Sequence, residues 1–299
     1  MILTCRYKNR NHTRSFTDNL TVIIQSKHSS VSVVLVEDKR VSIFSSACDN
    51  GYRDYLIGIM PSAIHYRLLG QAAAFTMHAG NSLVLFLAMQ NEELMKDPQI
   101  RDMTSMQSRY LTVWNIVCQM TYFLLAFACD FTSVTGREHM IPKSVRKFRQ
   151  SFFSTIVFTV TTLIFVLFWP IFIVDRGLLF PAFIDKIFSF NSNLAMHFFI
   201  LPAVIWEIAF LPRPIPKSHA KNIGILVVFF IVYISVIIHT HTQRGLFPYP
   251  IMKMTYGTVY FPLFLAFVLF LAIPIYLMQW KLTALFWGQE RKKIGAKVK

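Results

Sequence analysis

The sequence predicts an all-α membrane protein, a bundle of about six transmembrane helices with both termini in the cytoplasm. Three observations support this fold class. The chain of 299 residues is 54% hydrophobic and contains 29 Phe but only 11 Gly. Its mean hydropathy of +0.47 exceeds that of an ordinary soluble domain. Several apolar runs reach the roughly 20 residues that are needed to cross a bilayer.

Residues 1–65 differ from the rest of the chain, because they are polar and basic and begin without the apolar region of a cleavable signal peptide. Two patches, Thr21–Ile24 and Val31–Val36, have the β-branched composition of strands. A short hairpin is one alternative, with Val31–Val36 paired to Val41–Phe44, but an isolated hairpin is marginally stable in water. We therefore expect a poorly ordered cytoplasmic extension.

Six apolar segments follow the extension and form a predicted transmembrane domain over residues 66–288. Prolines such as Pro202 fall inside some of them, and membrane helices tolerate proline where neighbouring groups satisfy the freed carbonyls. The predicted spans are approximately Leu68–Met89, Tyr110–Phe131, Phe152–Val174, Phe188–Leu211, Ile223–His239 and Val259–Leu285.

Basic residues predict the orientation of these spans. Loops 132–151 and 212–222 and the tail at 289–299 are rich in Lys and Arg, whereas each of the alternate loops carries only a pair. The positive-inside rule therefore places both termini and the two basic loops in the cytoplasm. The net charge of +15 fits this rule and contact with anionic membrane lipids, so we expect no nucleic-acid partner.

One ionisable residue, His197, lies within an apolar stretch and follows Asn193 by four residues. Ionisable side chains inside a membrane usually face a cavity or a partner and mark functional sites. The alternative is a neutral His that hydrogen-bonds to a neighbouring helix and has only a structural role. Both interpretations require a polar partner, because an unsatisfied polar group in hydrocarbon costs several kcal/mol.

The predicted topology brings further polar groups into the same leaflet as His197, with alternatives open for some of them. Thr112 could simply bond to its own helix backbone. Asp175 and Arg176 could form an interfacial ion pair that only anchors a helix end. The candidate site residues near helix ends in that leaflet are Thr112, Asn115, Asp175, Arg176, Asn193, His197, His241 and Tyr249.

Such a set of side chains could carry out acyl transfer. A hydroxyl is a weak nucleophile until a base such as His removes its proton. The tetrahedral oxyanion then needs donors, which Asn115, Asn193, Arg176 or His241 could supply. We expect neither a cofactor nor a metal. The spacing His239-Thr-His241 is a weak metal signal, since the two rings of a His-x-His pair on a helix point apart.

Four blocks of sequence resemble the androgen-induced and androgen-dependent TFPI-regulating protein family of multipass membrane hydrolases. The first block runs from Tyr110 to Gln119 and includes Thr112 and Asn115. The third runs from Asn193 to Glu207 and includes His197. The second and fourth blocks are Phe168-Trp169 with Asp175-Arg176, Phe180-Pro181 and Asp185, and His241 with Gly245-Leu-Phe-Pro-Tyr249-Pro250.

The resemblance implies a lipid carboxylic-ester hydrolase that cleaves fatty acid esters of hydroxy fatty acids, with Thr112 as nucleophile and His197 as its partner. The family often has Asp at the position of Asn115, and His and Thr at those of Leu194 and Phe198. These departures affect the expected substrate preference rather than the nucleophile or base. Residues 1–65 have no counterpart in the family.

Two other functions are consistent with the residues themselves. A membrane lipid carrier would bind a lipid in the polar pocket without reacting with it. A haem or metal redox protein would use His197 and His241 as ligands. The resemblance favours the hydrolase. We expect membrane lipids and a branched fatty acid ester as its partners. We expect the protein in the endoplasmic reticulum or another endomembrane compartment, or in the plasma membrane.

Overall fold

The computed structural model describes the backbone of residues 2–3, 21–26, 31–36 and 61–297, and the side chains of residues 63–288. The chain divides into two compact units, Met1–Pro61 and Ser62–Lys299, each of which is described by itself.

The first unit contains a small antiparallel sheet of strands β1 (Ile2–Leu3), β2 (Thr21–Ser26) and β3 (Val31–Val36). Thr21 pairs with Val36 and Ser26 with Val31, so the two strand-like patches of the sequence form a hairpin with each other. The alternative pairing of Val31–Val36 involves residues 41–44, which lie outside the described residues. The predicted poor order of this extension cannot be compared with the structure over its remaining residues up to 60, because these lie outside the described ranges.

The second unit is helical in its described part. Short 3₁₀ turns connect several of its helices, and a π-helical segment, Phe153–Val157, joins α5 to α6. The helices are α1 (Pro61–Ala88), α2 (Glu92–Met95), α3 (Pro98–Ser105), α4 (Leu111–Val134), α5 (Lys143–Phe152), α6 (Phe158–Asp175), α7 (Phe190–His197), α8 (Ile200–Phe210), α9 (Ala220–Arg244), α10 (Pro250–Thr255) and α11 (Tyr260–Lys297).

In the described part of this helical unit, five stretches are long and apolar enough to cross a membrane, so the protein is an integral membrane protein. The stretches are Leu111–Val134, Lys143–Leu178, Phe190–Phe210, Ala220–Arg244 and Tyr260–Gly288. Helix α1 has the necessary length, at 28 residues, but Gln71, His78 and Asn81 reduce its hydropathy. The predicted sixth span therefore stays a prediction.

Helix α1 nevertheless lies antiparallel to α4. Arg67, near its start, bonds to Asp130 near the end of α4, whereas His78, further along, bonds to Gln119. Gly70 permits a close approach to α8, because a Cβ at this position would come within 2.3 Å of the Trp206 indole nitrogen.

The third predicted span begins too late in the sequence. Residues 143–151, assigned to a basic loop, belong to α5, which continues through the π segment into α6. Lys, Arg and Gln are good helix formers, and charge alone does not stop a helix. As a consequence Arg149 is buried in the bundle rather than solvated in a loop.

The fourth predicted span is interrupted directly after His197. Helix α7 ends at His197, and α8 starts at Ile200. Pro202 has no N–H to donate to the Phe198 carbonyl four residues earlier, so that carbonyl accepts from Leu201 instead. The break therefore ends α7 at His197, the ionisable residue singled out in the sequence.

The last two spans are longer than predicted. Helix α9 continues five residues past His239 and ends where Gly245 adopts a left-handed conformation with φ +66°. Helix α11 continues to Lys297, so residues 289–297 of the predicted tail extend a helix. The core between the spans is apolar and aromatic, and it includes Tyr122, Phe153, Phe158, Ile200 and Tyr276.

Candidate functional site

The N-terminal end of α4 carries Thr112 as its second residue. The first N–H of the helix, that of Leu111, donates to the hydroxyls of Tyr233 and Tyr249, each at 3.0 Å. No carbonyl one turn earlier in the helix is available to the Thr112 side chain at this position. The helix dipole also places partial positive charge here, which favours negative charge developing on the Thr112 oxygen.

Thr112 and His197 meet across the bundle. The Thr112 hydroxyl lies 3.3 Å from His197 Nε2, and both side chains are buried. The alternative in which Thr112 bonds only to its own backbone is therefore not what the structure shows. A distance of 3.3 Å is at the long end for a hydrogen bond, as is common for catalytic pairs without substrate.

The other nitrogen of His197, Nδ1, lies 2.8 Å from Asn193 Oδ1, one turn earlier on α7. An amide oxygen can only accept, so Nδ1 carries the proton and Nε2 presents its lone pair to Thr112. The imidazole also stacks on Phe168, with ring centroids 3.7 Å apart. The indole of Trp169 donates to the His197 carbonyl at 2.9 Å. These contacts fix both the tautomer and the orientation of the ring.

Asn115, one turn after Thr112, ends a chain of buried neutral hydrogen bonds. His78 Nε2 donates to Gln119 Oε1 at 2.9 Å, and Gln119 Nε2 donates to Thr161 at 2.9 Å. The Thr161 hydroxyl then donates to Asn115 Oδ1 at 2.8 Å. Asn115 Nδ2 is buried and has no hydrogen-bond partner among the described residues. The chain thus fixes the amide and leaves its donor group unused.

Tyr249 lies beside the start of α4, as its bond to Leu111 shows, and its hydroxyl also interacts with Thr112. Burial raises the pKa of Tyr249, so the phenol stays protonated and uncharged. It can therefore support the backbone and hydroxyl at this helix end without adding a charge.

The remaining sequence candidates lie outside the Thr112–His197 contact. Arg176 pairs with Asp185 rather than with Asp175, and the Asp175 carboxylate instead accepts from the Gly177 N–H. The alternative of an Asp175–Arg176 ion pair is therefore wrong, because the Asp175 side chain caps the 3₁₀ turn Arg176–Leu178 that follows α6. His241 stacks on Phe247, with centroids 4.2 Å apart. Neither Arg176 nor His241 makes a hydrogen bond to Thr112 or His197 among the described residues, and their role as oxyanion donors stays a prediction.

A second group of buried polar residues was missed at the opposite end of the bundle. Asp130 binds Arg67 and Arg149, and Glu207 binds Arg149 and Arg213, all at 2.8–3.2 Å. We call these five residues the charged cluster. Gln71 bonds to both carboxylates, and the Tyr122 hydroxyl lies between Glu207 and Arg213.

The signal for the charged cluster was present in the sequence. Asp130 and Glu207 both fall inside predicted spans, where an ionisable residue requires a partner for the same reason as His197 does. In the described part of the chain, no group of three or more His, Cys, Asp or Glu residues has an arrangement that could hold a metal ion.

The sequence was compared with known protein families and with curated proteins. The family model described as FAR-17a/AIG1-like protein matches residues 73–284. The androgen-dependent TFPI-regulating protein of Mesocricetus auratus is 30% identical over 194 residues, 64% of this chain and 82% of that protein. The human protein of the same name is 30% identical over 191 residues, covering 62% and 80% of the two chains.

A more distant relative is the human androgen-induced gene 1 protein, which is 23% identical over 152 residues, 48% of this chain and 63% of that protein. No solved structure matches the chain. The matched residues contain Thr112, His197 and most of the helical unit, and the chain belongs to the FAR-17a/AIG1-like protein family.

Proposed function

We propose that this protein is an intramembrane threonine hydrolase that cleaves fatty acid esters of hydroxy fatty acids. The observation that carries the proposal is the continuous contact from the Thr112 hydroxyl through the His197 ring to Asn193. It has the order of a nucleophile, a base and a group that orients the base. The family resemblance supplies the class of ester.

In the proposed reaction, His197 Nε2 takes the Thr112 proton while Oγ1 attacks the ester carbonyl carbon. The tetrahedral intermediate collapses when the protonated His197 gives this proton to the leaving alkoxide, so that the hydroxy fatty acid departs. His197 then takes a proton from water, which attacks the acyl-threonine ester. Collapse of the second intermediate returns the proton to Thr112 and releases the fatty acid.

The oxyanion of each intermediate needs donors close to Thr112. Asn115 Nδ2 is our candidate, because it is buried one turn away, lacks a partner among the described residues, and belongs to an amide held by Thr161. Backbone N–H groups in the first turn of α4 are further candidates. Donors fixed in advance in a dry site are worth more than the same donors in water.

The proposed topology has six spans, with α1 as the first and both termini in the cytoplasm. The antiparallel arrangement of α1 and α4 supports it, as does the distribution of basic residues in the sequence. Thr112 and His197 then share the leaflet opposite the cytoplasm.

The topology can be tested by chemical labelling. Cysteines at positions 112 and 197 should react with a thiol reagent from the same side, and labelling from opposite sides would contradict this topology. We place the protein in the endomembrane system or the plasma membrane.

The proposal is tested with membranes that contain the protein and a branched fatty acid ester, by measuring the release of free fatty acid. Thr112→Ala and His197→Ala should each abolish hydrolysis, and the double variant should be no worse, because residues that act as one unit are strongly non-additive. Thr112→Ser should retain activity. Thr155→Ala is a matched control, since Thr155 is buried and its hydroxyl has no partner among the described residues.

A non-enzymatic lipid carrier is the second candidate, and a cavity that includes Asn193 and has phenylalanines as half of its lining residues favours it. The two functions differ in covalent chemistry. A fluorophosphonate probe should label the hydrolase at Thr112 and should fail to label Thr112→Ala, whereas a carrier would not be labelled at this position. A His197→Ala protein with near-normal turnover would rule out the proposed base.

A further inference from the structure

A cavity of about 280 Å³ opens beside the site, between the end of α6 and the start of α7. Half of its lining residues are phenylalanines, but it also includes one arginine, Arg176, and it reaches Asn193. Because Asn193 holds the His197 ring, the cavity ends one side chain away from the proposed base. The lining residues are Phe172, Arg176, Phe180, Asp185, Phe188, Ser189, Phe190 and Asn193.

Arg176 is held in place on several sides. Its Nη2 lies 2.7 Å from both carboxylate oxygens of Asp185, and its Nε donates to the Phe180 carbonyl at 3.1 Å. The guanidinium carbon lies 5.5 Å and 5.4 Å from the ring centroids of Phe172 and Phe180. The third nitrogen, Nη1, donates to none of the described residues. The guanidinium is thus fixed at the cavity with two donor protons uncommitted.

We propose that Arg176 binds the free carboxylate of the lipid ester and thereby selects acid-bearing esters over neutral ones. This inference rests on the proposed function and adds a residue that recognises the carboxylate end of the substrate. The carboxylate is recognised by Nη1, while the adjoining hydrocarbon packs on the phenylalanines of the wall. Asp185 keeps Arg176 in place and is not displaced.

A carboxylate fits this cavity better than a phosphate. A guanidinium group binds both carboxylates and phosphates, so its surroundings decide between them. The Asp185 carboxylate lies next to the same guanidinium, and its charge repels a phosphate monoester more strongly than a singly charged acid. The apolar wall also favours a small anionic group attached directly to hydrocarbon over a large hydrated headgroup.

The test compares two substrates that differ only at the carboxyl group. One is a fatty acid ester of a hydroxy fatty acid, and the other is the same molecule with its free acid converted to a methyl ester. Arg176→Gln should raise KM for the acid about tenfold or more with little change in kcat, as expected for the loss of a charged hydrogen bond that is equally strong in the ground and transition states. The kinetics with the methyl ester should not change. Arg176→Lys should lie between wild type and Arg176→Gln.

Lys186→Gln is the matched control, because it removes one positive charge from the residue next to Asp185, and Lys186 pairs with Asp97 outside the cavity wall. It should leave both substrates unaffected. An Arg176→Gln enzyme that loses activity equally on the acid and the methyl ester, or on neither, would overturn the inference.

A binding experiment separates this inference from the proposed function. A fluorescent fatty acid should bind the Thr112→Ala protein, and its affinity should fall about tenfold or more when Arg176→Gln is added. The methyl ester of the probe should compete poorly. A lysophosphatidic acid that competes better than the free fatty acid would instead assign the cavity to phosphate headgroups. If wild type hydrolyses neither ester but the probe shows this pattern, the hydrolase proposal fails and the carboxylate site stands.

Discussion

The two ends of α4 carry polar groups that are buried to a similar degree but are held by different interactions. Thr112 is 7% exposed, and its partner His197 is fixed by the neutral amide of Asn193. Asp130, 18 residues further along, is 3% exposed and is held by the guanidinium groups of Arg67 and Arg149. At a rise of ~1.5 Å per residue the two regions lie roughly 27 Å apart.

The difference between the two regions corresponds to what each must do. A histidine that is to accept a proton has to be uncharged beforehand, and a neutral partner such as Asn193 orients it without placing beside it a negative charge, which would strongly favour the imidazolium. In the charged cluster, the attraction between opposite charges offsets the desolvation cost of burying each ion. The ion pairs connect α1, α4, α5 and α8. The protein therefore keeps its buried charges away from the proposed reaction.

Among the substitutions that test this comparison, we expect Glu207→Gln to cause the largest change in stability. Removing one member of a buried ion network leaves the other charges uncompensated, which typically costs about 3–5 kcal/mol. Glu207→Gln keeps the shape of the side chain but leaves Arg149 and Arg213 without this carboxylate. We expect a large loss of stability, measured by thermal unfolding of the purified protein in detergent.

The matched control for Glu207→Gln is Glu93→Gln. Glu93 pairs with Lys96 at 2.6 Å, but the two side chains are 78% and 70% exposed. Exposed pairs contribute about 0–1 kcal/mol, so this substitution should change stability little. Equal and small effects at both positions would mean that the charged cluster does not hold the helices together.

The sequence predicted the neutral region better than the charged one. The predicted start of the second span, Tyr110, is one residue from the observed start of α4 at Leu111, which put Thr112 at a helix end. The four-residue spacing of Asn193 and His197 placed both on one helix face. The orienting contact itself was not predicted, because it depends on which ring nitrogen faces Asn193 in the packed bundle.

The charged cluster was missed because its members come from segments that differ in composition. Asp130 and Glu207 lie in apolar spans, whereas Arg149 and Arg213 lie in segments rich in basic residues, where a solvated loop is the simpler interpretation. Single-sequence patterns give the face of a helix but not its neighbour. The break at residues 198–199, which lies before Pro202 and separates α7 from α8, could not be located either, since many membrane helices tolerate proline.

A second prediction tests whether orientation by a neutral amide matters for activity. Asn193→Ala removes the acceptor for His197 Nδ1 and frees both the tautomer and the ring angle. Misplacing a reacting group by about 1 Å can cost about 100-fold in rate, and we expect a loss of kcat of that order. The measurement is fatty acid release at saturating substrate.

Asn222→Ala is the control for this substitution, because the Asn222 side chain makes a hydrogen bond too, donating at 3.1 Å to the Tyr276 hydroxyl, but it makes no hydrogen bond to Thr112 or His197. It should leave kcat unchanged. Normal turnover by Asn193→Ala would show that stacking on Phe168 and the Trp169 contact are sufficient to orient the ring.

The smallest expected effect is on the stability of Thr112→Ala, the same variant that should lose all activity. It removes the Thr112 hydroxyl from a neutral hydrogen bond of 3.3 Å and leaves the buried His197 Nε2 without this partner, which costs about 1–3 kcal/mol. The helix start is unaffected, because the Leu111 N–H keeps both tyrosine hydroxyls. Thermal unfolding of this variant should therefore show a smaller loss of stability than that of Glu207→Gln. A loss of stability as large as that of Glu207→Gln would mean that the Thr112–His197 contact holds the bundle together as the charged cluster does, and loss of activity in this variant could then no longer be assigned to the missing hydroxyl.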